Sequence, residues 1–187
     1  MKYKYWSWEN YFTKKDIKNI NNFIDNNFNC YEDPIYIATD KTNKNKKNVL
    51  VKCISYNKIK KYLKNLLETC LYVNKKNFGY DLFNSLDNGY CNLNIYSADK
   101  LQSYDWHIDA VPHPYEDIKF TILINLSMKP YEGGKFKIFD QYEKDVNELD
   151  KPGNVIMFKS YLNHKVTPII KGERRTLAIF LNGPNFK

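Results

Sequence analysis

The feature that most constrains this chain is a change of hydrophobic period at Gly79. Before it, apolar residues recur at helical spacing; after it, they come in short β-rich runs punctuated by Gly, Pro, Asn and Asp. Over 13–28, Ile17, Ile20, Phe23 and Ile24 mark one face, with Thr13 placed as an N-cap, so an amphipathic helix is expected there. Over 57–73, Ile59, Tyr62, Leu63, Leu66, Leu67 and Leu71 repeat the pattern, and Lys58, Lys60, Lys61 and Lys64 fill the other positions. The polar stretch 41–48 between them reads as a loop. Beyond Gly79, strands are expected near 90–96, 104–108, 118–126, 135–139, 154–158, 165–170 and 175–181.

Several strands without intervening helices predict two packed sheets. The expected class is α+β, a double-stranded β-helix (jelly roll) buttressed by N-terminal helices. A chain of 187 residues, 43% hydrophobic, has enough apolar surface for one domain over 1–187. About 1–85 would be the helical support region and about 86–187 the jelly-roll core.

The formal net charge is +8, but Lys and Asn run together through the whole chain, which reads as a solvated surface rather than a binding patch. Weak attraction to nucleic acid or an acidic protein is the lesser reading. Cys30, Cys53, Cys70 and Cys91 are widely spread and form no C-x-x-C pair, as expected of buried thiols in a reducing compartment. No apolar run approaches bilayer length, and the aromatic, charged start is unlike a signal peptide. A soluble, cytoplasmic protein with no membrane association is expected.

The chemistry is carried by a constellation. In Tyr104-Asp105-Trp106-His107-Ile108-Asp109, an imidazole and a carboxylate stand two residues apart in a strand or at its end, where alternation would turn both to one face. Two histidines and one carboxylate with open positions suit non-haem Fe(II) oxygenases. The pair alone is a weak signal, since a surface His beside a solvated Asp looks the same. It gains meaning from Lys151-Pro152-Gly153, from Asn163-His164-Lys165-Val166-Thr167-Pro168, and from Gly172-Glu173-Arg174-Arg175. Of the three histidines, two fall in this series. The third, His113, reads as an ordinary loop residue, with a substrate-facing role as the minor reading.

Over about 90–184 these residues resemble the 2-oxoglutarate (2OG) and Fe(II)-dependent dioxygenases, within them the prolyl 4-hydroxylase-like group. Gly133-Gly134 ahead of a strand adds to the resemblance. It implies that His107, Asp109 and His164 ligate Fe(II) and that Arg174 grips the far carboxylate of 2OG with its planar fork of donors. The family spacing selects Arg174 over Arg175, which is expected to be a surface charge. Tyr96 lies where related enzymes place an aromatic hydroxyl against 2OG; Asn94 and Tyr104 are weaker candidates, and Trp106 should face away from the metal. The implied reaction uses O₂, with ascorbate as a supporting reductant. It couples decarboxylation of 2OG to succinate and CO₂ with hydroxylation of a C–H bond, foremost in a prolyl residue of a protein or peptide.

Two other readings stay open at this stage. A nucleic-acid dealkylase of the same superfamily would account for Asn94-Ile95-Tyr96 and the positive charge, although its arginines are spaced differently. A non-enzymatic jelly-roll binding module would leave His and Asp incidental or holding a structural metal, although structural zinc sites usually close four ligands, often with Cys, and no cysteine lies close in sequence to either ligand segment. The oligomeric state is not legible in the sequence.

Overall fold

A computed structural model describes residues 3–29, 31–32, 47–83, 89–110 and 116–185. In chain order the first elements are β1 (Tyr5–Trp8), α1 (Lys14–Asn27), β2 (Tyr31–Glu32), β3 (Lys47–Asn48), β4 (Leu50–Ser55) and α2 (Tyr56–Val73). There follow β5 (Tyr90–Ser97), β6 (Ser103–His107), β7 (Asp117–Asn125), β8 (Glu132–Gly133), β9 (Phe136–Asp140) and β10 (Tyr142–Asp145). The last four are β11 (Val155–Lys159), β12 (Asn163–Val166), β13 (Ile169–Lys171) and β14 (Glu173–Gly183).

Both expected helices form where their apolar faces predict. Thr13 caps α1 in a capping box: its hydroxyl accepts from the Asp16 amide and its own amide donates to the Asp16 carboxylate, 3.2 and 2.9 Å. The helix then buries Ile17, Ile20, Asn21 and Ile24. The second helix runs on into a π-helical turn, Asn74–Phe78, closed by Gly79 at φ 72°.

Among the described residues the strands form a seven-stranded sheet, β1-β11-β7-β14-β5-β4-β2, a five-stranded sheet, β10-β9-β12-β6-β3, and the pair β13-β8. Every pairing is antiparallel. Alternation along the strands makes three layers. On the large sheet, Leu93, Ile122, Met157, Leu177 and Ile179 face the helices and join their apolar residues in one core. Tyr96, Leu123, Ile156, Phe158 and Ala178 turn the other way, onto Phe136, Ile138 and Val166 of the small sheet. This is the expected jelly roll, and no helix of the described residues is long and apolar enough to cross a membrane.

Three local expectations are corrected. The N-terminal portion is not only helical: β1 and β4 are strands of the large sheet, β1 against β11 and β4 against β5. The run 165–170 is not one strand but β12 and β13, because Thr167 and Pro168 break the ladder between them. The stretch 41–48, expected to be a loop, ends in β3, and 41–46 lies outside the described residues, as does His113.

The Pro-Gly turn has a physical reason. Gly153 sits at φ 86°, its amide donates to the Asn125 carbonyl and its carbonyl accepts from the Phe12 amide, 2.8 and 3.1 Å. A Cβ there would lie 2.2 Å from the Phe12 carbonyl oxygen, so only glycine lets the N-terminal segment dock.

Candidate metal centre and co-substrate cleft

The centre is built where the small sheet pairs β6 with β12. His107 and His164 are direct cross-strand partners, their ring centroids 4.0 Å apart. Each ring is oriented by a backbone carbonyl two residues before it: His107 Nδ1 lies 2.7 Å from the Asp105 oxygen and His164 Nδ1 2.9 Å from the Leu162 oxygen. A carbonyl only accepts, so each Nδ1 carries the proton and each Nε2 of the neutral ring keeps a lone pair directed at the site.

Asp109 is not placed by strand alternation, as the sequence led us to expect, because β6 ends at His107. Its position comes from its neighbours. The amides of Asp109 and Ala110 both donate to the Ser160 carbonyl, 3.0 and 3.2 Å, and Thr121 Oγ1 of β7 donates to Asp109 Oδ2 at 2.6 Å. The carboxylate then stands 3.7 Å from His107 Nε2 and 3.5 Å from His164 Nε2. One ligand atom from each of the three residues lies within 4.8 Å of the others, the spacing a single ion requires. Tyr104 stacks on the His107 ring, 3.5 Å between centroids, so this secondary candidate does belong to the site.

The three residues border a cleft of about 610 Å³ between the sheets. Arg174 and Tyr96 form a cross-strand pair of β14 and β5 in its wall, with the guanidinium carbon 5.5 Å from the Tyr96 ring centroid. Arg174 is only 1% exposed, and its Nε and Nη1 have no hydrogen-bond partner among the described residues. Burial pushes the Tyr96 hydroxyl up to about 12; Arg174 pulls it down and Asp109 pushes it up. It therefore keeps its proton at neutral pH and is a donor.

Arg175 corrects an expectation. It does face away from Arg174, but the other side of β14 is covered by α1, and Arg175 is buried at 6% exposure. Its guanidinium grips Asp25 of α1 with two hydrogen bonds of 3.0 and 2.7 Å, and Lys52 of β4 adds a third at 2.7 Å. Trp106 faces outward as expected, packed edge-on to Phe139 at 6.1 Å and under the Lys165 ammonium at 4.4 Å. Sequence reasoning missed Thr121, Ser160 and the two carbonyls of Asp105 and Leu162. Their contribution depends on sheet register, which no local motif reports.

Residues 91–182 match the family model of the 2OG-Fe(II) oxygenase superfamily. This β-rich half of the chain belongs to that superfamily. A PKHD-type hydroxylase from Synechococcus sp. is 32% identical over 78 residues, which is 39% of this chain and 33% of that protein. The aligned part thus spans about a third of the curated relative's length. In fold, this chain resembles a prolyl-4-hydroxylase from Pseudomonas putida, TM-score 0.71 at 16% identity over 98% of this chain and 95% of that one. It also resembles a prolyl hydroxylase from Trichoplax adhaerens in complex with a hypoxia inducible factor peptide fragment, TM-score 0.70 at 14% identity over 95% and 83%. Membership implies Fe(II), 2OG and O₂, and the residues present fit them. Two imidazoles with locked tautomers and a carboxylate make the ligand set, and a buried guanidinium with unsatisfied donors shares their cleft.

Proposed function

We propose that this chain is a 2OG- and Fe(II)-dependent hydroxylase acting on a prolyl residue of a protein or peptide. In this reading His107, Asp109 and His164 hold the iron, Arg174 pairs with the far carboxylate of 2OG, and the Tyr96 hydroxyl donates to the same co-substrate. The observation that carries it is the unsatisfied guanidinium of Arg174. A cation this deeply buried, with the Tyr96 ring beside it but no hydrogen bond to Nε or Nη1 among the described residues, is costly, and an anionic ligand removes the cost. A binding module with incidental histidines has no need of such a group beside three convergent ligand atoms. The bound metal and co-substrate supply the oxidant for a C–H bond. The chain's residues position the co-substrate, and the apolar side chains Leu123, Phe136 and Val166 limit water around it.

The peptide substrate is supported by the prolyl hydroxylases that share the fold. A reducing, cytoplasmic compartment is part of the same reading, supported by the free thiols of Cys53, Cys70 and Cys91. The test is anaerobic loading with Fe(II) and 2OG, then air and proline-containing peptides, with succinate and peptide mass followed together. Succinate with a gain of one oxygen atom on proline is the expected result. Absence of succinate under all conditions, together with no thermal stabilisation by 2OG, would overturn the proposal.

A further inference from the structure

The outer half of the cleft constrains the charge of the substrate. The even-numbered residues of β14 line it in order from Arg174 through Thr176, Ala178 and Phe180 to Asn182, roughly 25 Å along the strand. Arg174 and Thr176 are almost fully buried while Phe180 and Asn182 are partly exposed, so the row runs from the closed end to the mouth. Arg174 offers unsatisfied donors at the closed end. Beyond it the unsatisfied atoms are oxygens: Thr176 Oγ1, which is 2% exposed, Asn94 Oδ1 on its cross-strand partner, and Asn182 Oδ1 near the mouth. All three are withdrawn from water; the Thr176 hydroxyl can donate or accept, whereas the two amide oxygens of Asn94 and Asn182 only accept, so what satisfies them has to donate a hydrogen bond.

The charges point the same way. The chain carries 29 lysines and arginines, all lysine except Arg174 and Arg175, yet among the described residues no lysine lines this cleft. Its charged lining residues other than the histidines are Asp109, Arg174 and Glu116. With Fe(II) and doubly anionic 2OG in place, the metal, the co-substrate, Asp109 and Arg174 balance, and Glu116 is the charge left over. The Asn182 amide donates to Glu116 Oε1 at 3.0 Å, which holds the carboxylate at the mouth and turns Asn182 Oδ1 to its unsatisfied position. No cation among the described residues pairs with Glu116.

We infer that Glu116 is a specificity-determining residue and that the substrate is a peptide carrying a basic side chain beside the hydroxylated residue. The inference rests on the proposed function, which assigns the closed end to metal and 2OG. A nucleic acid is disfavoured by the same observations, because a polyanion needs cations along its path and this cleft presents a carboxylate and carbonyl-type acceptors.

The test uses the full chain loaded with Mn(II) and 2OG and three fluorescent peptides with a central proline flanked by lysine, alanine or glutamate. Anisotropy titrations should give the lysine peptide about tenfold tighter binding than the glutamate peptide, as one charge pair at a cleft mouth provides. In Glu116→Gln the ratio should fall towards one, and in Glu116→Lys it should reverse. Equal affinities in the native protein, an unchanged ratio in Glu116→Gln, no binding of any peptide, or tighter binding of a single-stranded oligonucleotide would each overturn the inference. Thermal stabilisation by Mn(II) and 2OG without peptide reads the closed end separately. Its presence with a flat peptide preference refutes the role of Glu116 alone, whereas its absence refutes the proposed function beneath it.

Discussion

Arg174 and Arg175 are neighbours of equal charge whose side chains enter different layers, and their removal should have opposite consequences. Arg174→Ala takes away charged hydrogen bonds to 2OG, each worth about 1.5–3 kcal/mol, so the 2OG concentration for half-maximal succinate formation should rise roughly 10- to 100-fold. It also removes a buried cation that has no ion-pair partner among the described residues, so the melting temperature should not fall. Arg175→Ala leaves Asp25 with Lys52 alone and should cost about 1–3 kcal/mol in chemical denaturation with little change in 2OG affinity. Equal effects on 2OG would refute the assignment of Arg174. Asp25 gives a pH signature. Burial raises its carboxyl, but the hydrogen bonds from Arg175 and Lys52 outweigh that and hold it below the ordinary range. A depressed folded value stabilises above the unfolded one and the contribution disappears as pH falls through the folded value. Stability of the native protein should therefore drop in acid below the usual aspartate range, and Asp25→Asn should flatten that part of the profile. The sequence did separate the two arginines by strand alternation and family spacing. It could not show what covers the far face of β14, because Asp25 lies 150 residues away on α1.

Among the elements, the β8–β13 pair shows why some structure was legible and some was not. Gly133-Gly134 was visible as a motif, and its reason is steric. Gly133 has φ 79°, and a Cβ on it would lie 2.3 Å from the Pro168 carbonyl oxygen and 2.9 Å from the Ile170 amide nitrogen. Both obstacles are backbone, so Gly133→Ala must push β13 away, on top of the left-handed strain, and should lower stability by about 2–4 kcal/mol. Gly134 meets softer atoms, the Ile169 Cδ1 end and the Arg174 Cδ, and Gly134→Ala should instead displace the Arg174 stem and raise the 2OG requirement. A circular-dichroism melt paired with a 2OG titration on both variants separates the two outcomes. The helices were legible because one amphipathic face per helix is a local property. The strands β1 and β4 were not, since the four residues of β1 and the mixed run Leu50–Ser55 become strands only by pairing with β11 and β5 from far along the chain.

At the scale of the whole molecule, the metal site joins layers that the sequence presents as separate halves. His107 and His164 belong to the small sheet, while Asp109 is tied by Thr121 to the large sheet, whose other face carries both helices. α1 is fastened there by apolar contact, by the Asn21 amide donating to the Leu126 carbonyl at 2.8 Å, and by Asp25 on Arg175 and Lys52. A ligand that binds only the folded site stabilises all that unfolds with it, by about 2.7 kcal/mol at a hundredfold excess over its Kd. For a chain of this size that is roughly 5–11 °C in Tm. Anaerobic Fe(II) should therefore raise the melting temperature by such an amount, chelation should reverse it, and His164→Ala should abolish it. The shift should be the same in the helical far-UV signal and in near-UV signals from the aromatic core, because the helices have no apolar face left once the large sheet is lost. If the helical signal melted at a temperature indifferent to metal, the N-terminal helices would be an independent unit, and the view of one cooperative structure over the whole chain would fail.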